Sequence, residues 1–253
     1  MWSGTAASWV DLTPTGASQS RAFGTSGGQQ VGWSHIGGIG RASLWTGTAS
    51  SWVDLSPTGA TESWASGTTG TQQAGYAVVG GVARASLWSG SADSWVDMHP
   101  VGVVQSIAGC VVGNQQVGYV QLRLGGDARA SLWSGTASSW VNLNPAGSTY
   151  SIANATDGHQ QVGIATFAGL PRASLWSGSA ESWVDLHAFL PSDFAYSEAR
   201  AIVSDGAFRY VSGSGFNTIT NRQEALLWVQ PIPSPSGIAL LGICTLSFAR
   251  RRR

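Results

Sequence analysis

The sequence contains no lysine, only two cysteines and few charges of either sign. Charged residues make up 10% of its 253 residues, and all 13 cationic side chains are arginine. Four of these arginines are the last four residues, which leaves 9 arginines against 13 acidic residues in the rest of the chain. Because a phosphate backbone is bound by basic residues gathered on one face, we expect no nucleic-acid partner.

Several other features are missing. Residues 1–230 contain no helix-length run of apolar residues at a period of 3.6. Zinc-ligand spacings, acidic calcium loops and a Gly-x-Ser-x-Gly nucleophile elbow are also absent, so we expect no metal, no cofactor and no catalytic residue of those types. Residues 1–12 have neither the basic start nor the apolar run of a signal peptide. One hypothesis is that the reading frame starts late and that further repeats precede Met1.

What the sequence does have is a repeat. Tryptophans recur at intervals of 43, 43, 45, 43 and 52 residues, at Trp2, Trp45, Trp88, Trp133, Trp176 and Trp228. Each period carries four landmarks (Ser-x-Ala, Gln-Gln-x-Gly, Leu-Trp and Ser-Trp-Val) within short segments bounded by glycine, proline or threonine, which is typical of strands joined by tight turns. Four strands per period of this length predict an all-β fold, a β-propeller of about five four-stranded blades. A β-helix solenoid, which needs a shorter coil, is the second choice.

The landmarks also predict an order within each blade. Small residues suit the axis where strands converge, so we place Ser-x-Ala innermost and Ser-Trp-Val-Asp outermost. Full blades then cover residues 17–56, 60–99, 103–144 and 148–187, within a propeller domain of residues 1–230. The fifth blade, from Phe194 to Val229, is one strand short. The segment Ser8–Leu12 has the missing sequence, and we predict that it completes the fifth blade and closes the ring, which removes an exposed sheet edge.

The succession of Gly-Gln-Gln-Val-Gly, Ala-Ser-Leu-Trp and Val-Asp-Leu resembles the HAF-type extracellular repeat of bacterial surface proteins. The resemblance covers residues 8 to 229. It implies a propeller fold and a location outside the cell, and it brings no catalytic residues with it.

Residues 231–253 break from the repeat. A proline-rich spacer leads to a predicted hydrophobic helix over 236–249, which is about 21 Å long at 1.5 Å per residue and so shorter than a bilayer core of roughly 30 Å. The layout resembles the PEP-CTERM sorting signal, which implies membrane contact, export and an exosortase-type processing enzyme as partner. In this sequence Ser234 stands where that family's Pro-Glu-Pro motif has glutamate. A permanent tail anchor and a plain buried helix are the alternatives. The sorting residues are Pro233, Ser234, Pro235, Arg250, Arg251, Arg252 and Arg253.

Candidate binding residues are those that vary between copies. Most tryptophans occupy repeat-locked positions, whereas a few aromatic residues do not, and these are candidates for a ligand surface that contacts polysaccharide: Trp33, Trp64, Tyr76, Tyr119 and Tyr150. The fifth repeat is about nine residues longer than the others, and its extra residues predict irregular loops at 189–196 and 212–221, where recognition is often built.

The recurrent polar residues are expected to be structural. The position of His99 and His187 is Thr, Ser or Asn in other copies. An acid recurs at Asp11, Asp54, Asp97 and Asp185, which is typical of structural hydrogen bonding, and the arginines before Ala-Ser-Leu are expected to anchor turns or stack beside tryptophan. We therefore expect a non-enzymatic surface or secreted protein with a role in adhesion, matrix or scaffolding. The alternative is a propeller enzyme acting on extracellular polysaccharide through Asp193, Glu198 or Asp205.

Overall fold

The computed structural model describes residues 8–233, which form strands, turns and short 3-10 turns. The strands make five separate antiparallel sheets, each from one continuous stretch of chain. Within each sheet every strand pairs with its sequence neighbours, as the turn signals predict. The all-β expectation is confirmed. Four sheets have four strands, and the fifth has three.

The strands follow the four landmarks. The first sheet contains β1 (Gln19–Ser26), β2 (Gln29–Ile36), β3 (Ile39–Trp45) and β4 (Val53–Asp54). The second contains β5 (Ala60–Thr68), β6 (Gln73–Val79), β7 (Val82–Trp88) and β8 (Val96–Asp97). The third contains β9 (Gln105–Val112), β10 (Gln115–Gln121), β11 (Ala128–Trp133) and β12 (Val141–Asn142). The fourth contains β13 (Tyr150–Thr156), β14 (Gln161–Phe167), β15 (Leu170–Trp176) and β16 (Val184–Asp185). The fifth contains β17 (Phe194–Ser204), β18 (Phe208–Asn217) and β19 (Arg222–Pro231).

The glycine of Gln-Gln-x-Gly is required by a close approach of two strands. In the third sheet the ladder between β9 and β10 shifts register beside Gly118. A Cβ atom on Gly118 would overlap the backbone oxygen of Ile107, so only glycine fits. The corresponding glycines of the other sheets are in the same position, and Gly213 of the fifth sheet meets the oxygen of Glu198. This bulge explains why the glycine survives in the fifth copy although its glutamines do not.

A serine joins each sheet to the next. The Ala85 amide of β7 donates to Ser106 Oγ of β9 (2.8 Å), and the same bond recurs between the other successive sheets. Strands β1, β5, β9, β13 and β17 also contact one another in succession, while the short fourth strands do not. The Ser-x-Ala strands therefore lie at the convergent edge of the array, and their predicted innermost position is confirmed.

The faces between sheets are packed with leucine from one sheet and tryptophan from the next. Leu44 is 4% exposed and lies in one apolar cluster with the fully buried Trp88. Equivalent clusters hold Leu87 with Trp133 and Leu132 with Trp176. Burial of a side chain of this size stabilises a fold by about 3 kcal/mol or less. These interfaces give the array most of its apolar core.

The predicted closure of the ring by the chain ends is wrong. Residues 8–12 form no strand, Trp9 is 70% exposed, and β19 is an unpaired sheet edge among the residues the structure describes. The physical reason lies in β19. Where the other sheets have an arginine and a serine to receive the outer strand, β19 has Glu224 and Leu226. Glu224 would repel Asp11, and Leu226 offers no hydroxyl to the indole of Trp9.

The predicted loops of the fifth repeat are also partly wrong. The stretch 212–221 is mostly strand, because β18 continues to Asn217, and the extra residues lengthen strands rather than form an irregular loop. A short 3-10 turn, Leu186–Phe189, leads into this sheet. The predicted hydrophobic helix over 236–249 and the arginine cluster lie outside the described residues. Between residues 8 and 233 no helix is long and apolar enough to cross a membrane.

Candidate functional site

The recurrent arginine and aspartate of each repeat bind each other. Arg84 Nη1 lies 2.8 Å from Asp97 Oδ2, and Arg41 with Asp54 and Arg172 with Asp185 form the same salt bridge at 2.7 Å. The other oxygen of each aspartate accepts a backbone amide two residues on, such as the His99 amide at 2.8 Å. Asp11 likewise accepts the Thr13 amide (2.8 Å). The structural interpretation of these acids is confirmed, and for the arginines the partner is aspartate rather than tryptophan.

The third sheet departs from this plan. Its arginine is Arg129, and the residue at the aspartate position is Asn142. Asn142 Oδ1 still accepts the Asn144 amide (2.9 Å), but it offers no charge. Arg129 Nη1 donates instead to the backbone oxygen of Ser148 (2.9 Å), and in the described part of the chain it has no carboxylate partner. Arg129 is therefore a repeat arginine that binds a backbone oxygen in place of the repeat aspartate.

The same sheet carries the longest turn between its second and third strands. Gly37-Gly38 and Gly80-Gly81 make two-residue turns in the first two sheets, whereas residues 122–127 make a six-residue loop in the third. Beside this loop is a cavity of about 310 Å³, lined by Leu122, Arg123, Asp127 and Arg129. No salt bridge joins Asp127 to either arginine within the described residues. Two cations and one anion therefore face one open cavity.

Two tyrosines lie close to this loop. Tyr119 of β10 and Tyr150 of β13 are both half-buried. Burial raises the pKa of the Tyr150 phenol, and the negative charge of Asp127 raises it further. Burial likewise raises the pKa of Tyr119, with a smaller contribution from Tyr150. The two phenols and the carboxylate thus lie within electrostatic reach of one another.

The other three predicted aromatic residues form a stack between the first two sheets. The Trp64 ring is stacked on Trp33 at 5.3 Å and on Phe23 at 5.7 Å, and Tyr76 lies tilted against it at 5.8 Å. The Tyr76 hydroxyl donates to Glu62 Oε1 (2.7 Å), and burial raises the pKa of Tyr76 above its ordinary range. Trp33 is 8% exposed. These rings pack against each other, so part of each ring face is covered by a neighbouring ring.

His99, His187 and two of the acids named for an enzyme, Glu198 and Asp205, hold local hydrogen bonds through their side chains. His99 Nδ1 and His187 Nδ1 each lie 2.8 Å from a serine hydroxyl of the next inner strand. Asp205 accepts the amides of Ala207 and Phe208, which lowers its pKa.

Glu198 accepts hydrogen bonds from Arg200 and Ser214, and the backbone oxygen of Asp193 accepts the Thr218 amide. Between residues 8 and 233 no group of three or more His, Cys, Asp or Glu side chains is placed to hold a metal ion.

A second, apolar groove lies beside the fifth sheet. Its volume is about 470 Å³, and its lining includes Leu175, Leu186, Phe189, Leu227 and Trp228. The three earlier interfaces each contain a tryptophan from an outer strand at the edge of the cluster: Trp95, Trp140 and Trp183. The described residues of the last interface include no such tryptophan, because the fifth sheet has no fourth strand. The groove is where the regular packing stops.

Reasoning from sequence missed Arg123, Asp127 and Arg129 as a group. Two signals were available in that copy: its period is 45 residues rather than 43, and it has asparagine at the aspartate position. Only the salt bridges of the other sheets show that these two departures meet at one arginine.

No protein-family model and no curated protein matches the chain. Among solved structures, a putative TolB from Agrobacterium tumefaciens is similar with a TM-score of 0.54 and 11% identity, over 87% of this chain and 78% of that one. TolB from Acinetobacter baumannii gives a TM-score of 0.49 and 11% identity over 84% of this chain, which spans 55% of its length. A nidogen/laminin complex gives 0.47 and 9% identity, over 81% of this chain and 79% of that one. The sheets therefore form a repeat protein with the fold of TolB-like β-propellers.

Proposed function

We propose that this chain is a non-enzymatic repeat protein of the cell surface or extracellular matrix that binds polysaccharide. The observation that carries the proposal is the pair Tyr119 and Tyr150, which are half-buried beside the cavity of the third sheet and make no ring contact with another described aromatic residue. Aromatic rings beside a few placed polar side chains suit a sugar, because the ring packs on its apolar face and the polar groups bind its hydroxyls. The rigid array behind them supplies a fixed platform.

The polar chemistry of the repeat supports a binding role over a catalytic one. The recurrent aspartates hold arginines and turns, and the recurrent histidines hold serines of the next sheet. A glycosidase needs two carboxyl groups in different environments facing one cleft. The acids named for that alternative, Glu198 and Asp205, are occupied by neighbouring donors.

The tail belongs to the same proposal. We propose that Pro233 to Arg253 directs the protein to the cell envelope, that residues 236–249 contact the membrane, and that an exosortase-type enzyme processes the segment. The layout of spacer, apolar stretch and four arginines supports this. The arginines would stay on the cytoplasmic side, which leaves the propeller outside.

A glycan array with the full chain tests the binding proposal. We expect retention of one class of bacterial or plant polysaccharide, and at least a tenfold loss of affinity in the double variant Tyr119→Ala/Tyr150→Ala. Tyr196→Ala is the matched control, since Tyr196 belongs to the fifth sheet, where its ring is stacked on Phe216 at 5.6 Å, and it does not line the cavity. New reducing ends in the same incubations, or no retained glycan, would overturn the proposal.

The mass of the exported chain tests the sorting proposal. Expressed in hosts with and without an exosortase, the protein should lose its last residues only in the first host. A variant with Arg250, Arg251, Arg252 and Arg253 all changed to Gln should keep its full mass in both. An identical mass for the unaltered protein in the two hosts would contradict processing.

A further inference from the structure

We infer that the cavity of the third sheet, bounded by Arg123, Asp127 and Arg129, binds the carboxylate of an acidic sugar residue. The inference deepens the proposed polysaccharide-binding function and rests on it. Three departures from the repeat coincide at this cavity. They are the six-residue loop 122–127, the loss of the aspartate at Asn142, and an arginine without a carboxylate partner.

The other sheets show what an arginine at this position binds. Arg41, Arg84 and Arg172 each hold an aspartate oxygen at 2.7 to 2.8 Å. Arg129 occupies the same place in the strand ladder as Arg84. Arg129 is paired with Val120, and Arg84 is paired with the corresponding residue of the second sheet, Ala77. A planar guanidinium is suited to paired hydrogen bonds with a carboxylate. In the third sheet that carboxylate must come from outside the repeat.

The cavity beside Arg129 is shaped by the long loop. The cavity has a volume of about 310 Å³. The loop beside it is four residues longer than the turn at Gly80-Gly81 in the second sheet. Arg123 and Arg129 contribute two positive charges, and Asp127 contributes one negative charge, so the lining carries a net charge of +1. An anionic ligand is therefore favoured, and a neutral ligand would leave this charge without a partner.

The tyrosines indicate a sugar rather than an acidic peptide. Arg129 binds the backbone oxygen of Ser148, and Tyr150 lies two residues further along the chain. The Ser148 hydroxyl donates to the backbone oxygen of Tyr150 (2.9 Å). Tyr119 is paired with Ala130, so its side chain lies on the opposite face of the third sheet from Arg129, on the side of the fourth sheet and Tyr150. The Tyr150 phenol lies within electrostatic reach of Asp127, which lines the cavity, so its ring can hold the apolar face of a pyranose while the sugar carboxylate meets the guanidinium of Arg129.

The variant Asn142→Asp gives the sharpest test, because it restores the residue of the other sheets and supplies Arg129 with an internal carboxylate. Titration calorimetry with trigalacturonate as the probe should show at least a tenfold weaker affinity in Asn142→Asp than in the unaltered chain, with no loss of folding. Arg129→Gln should weaken binding at least as much. The methyl ester of the same trisaccharide, which is neutral, should bind at least tenfold more weakly to the unaltered chain.

Asp97→Asn is the matched control. It leaves Arg84 of the second sheet without its carboxylate, but beside a two-residue turn, so trigalacturonate binding should be unchanged. Equal affinity of Asn142→Asp and the unaltered chain would overturn the inference, as would tighter binding of the methyl ester or of a glutamate-rich peptide. Retention of neutral glycans alone would overturn this inference and leave the proposed function standing, whereas retention of no glycan would remove both.

Discussion

The second and fifth sheets of the array differ in the identity of two residues of their third strand and in the exposure of a leucine that both share. In the second sheet Arg84 binds Asp97, the Ser86 hydroxyl accepts the indole of Trp95 at 2.8 Å, and Leu87 is 5% exposed against the next sheet. In the fifth sheet the corresponding residues are Glu224, Leu226 and Leu227, and Leu227 is 63% exposed.

The comparison shows that a fourth strand is present where the third strand has the arginine and the serine that bind it. An outer strand of two residues contributes only a pair of ladder positions, as between Ser86 and Asp97 and between Leu87 and Val96. Such a strand is held mainly by its side chains. Where the arginine and serine are replaced, the strand is absent, and the edge and face of the sheet remain exposed.

The largest difference between the two kinds of sheet should appear at their tryptophans. Trp133 is fully buried, whereas Trp228 is partly exposed and its indole donates to the Leu186 oxygen (3.0 Å). Trp133→Ala should lower the free energy of unfolding by about 3–5 kcal/mol, and Trp228→Ala by roughly half as much, measured by denaturant unfolding followed by circular dichroism.

Trp133→Phe serves as the control for this pair. The indole nitrogen of Trp133 is buried and has no hydrogen-bond partner, so Trp133→Phe loses packing but no hydrogen bond. Because a phenyl ring fills part of the space of the indole, Trp133→Phe should cost less than Trp133→Ala. Equal losses for Trp133→Ala and Trp228→Ala would show that the fifth interface is as tightly packed as the others, and the comparison would fail.

A glycine-to-alanine substitution at the inner bulge should destabilise the fifth sheet as it does the other sheets. Gly118→Ala and Gly213→Ala both place a methyl group against a backbone oxygen, so each should destabilise the protein by about 1–3 kcal/mol. Gly109→Ala is the control, because the nearest atom to its Cβ would be the Val117 oxygen at 3.8 Å. A neutral Gly213→Ala in thermal unfolding would mean that the fifth sheet has lost the inner bulge as well as the outer strand.

Much of the architecture could be predicted from the sequence, since the spacing of tryptophans fixes the period and the small residues of Ser-x-Ala fix the inner edge. The open fifth sheet could not be predicted that way. Ser8–Leu12 has the sequence of an outer strand, and the Leu-Trp alignment already sets Glu224 and Leu226 against Arg84 and Ser86. That the arginine and the serine are the residues that hold the outer strand is known only from the salt bridge to Asp97 and the hydrogen bond from the Trp95 indole.

The candidate site was predicted in part. Tyr119 and Tyr150 are candidates because they vary between copies, but the proposed role also involves Arg129, which looks identical to the other repeat arginines in sequence. The partner of each arginine lies 13 residues away, across a turn whose geometry spacing alone does not give. Trp33 and Trp64 were chosen by the same rule and instead pack against each other.

A smaller difference in the free energy of unfolding should separate the serine-to-alanine variants of two inner strands. Ser106 Oγ accepts the Ala85 amide of the preceding sheet and also contacts His99, both at 2.8 Å. Ser20 Oγ contacts Thr13 at 2.9 Å, before the first sheet. Because Ser106→Ala leaves a buried amide without a partner, it should cost about 1–2 kcal/mol. Ser20→Ala should cost a few tenths. Equal losses in denaturant unfolding would argue against the serine as the link between sheets.

The smallest expected effect is a pH dependence at His99 and His187. Burial is the main cause that lowers the pKa of both rings below the ordinary value of 6.5, and the charges of Arg84 and Arg172 act in the same direction, while Asp97 and Asp185 oppose them. The folded state therefore binds fewer protons than the unfolded state just below pH 6.5. The stability contributed by the neutral rings is complete above that pH and is lost as the pH falls toward the lowered pKa of the folded state.

The third sheet supplies the replacement that tests this pH dependence. Its residue at the histidine position is Asn144, which accepts the Ser151 hydroxyl at 2.7 Å and does not titrate near neutral pH. The double variant His99→Asn/His187→Asn should keep the serine contacts and show a smaller drop in denaturation midpoint between pH 7.5 and pH 5.5 than the unaltered chain. If both proteins lose the same stability over that interval, the pH dependence comes from groups other than His99 and His187.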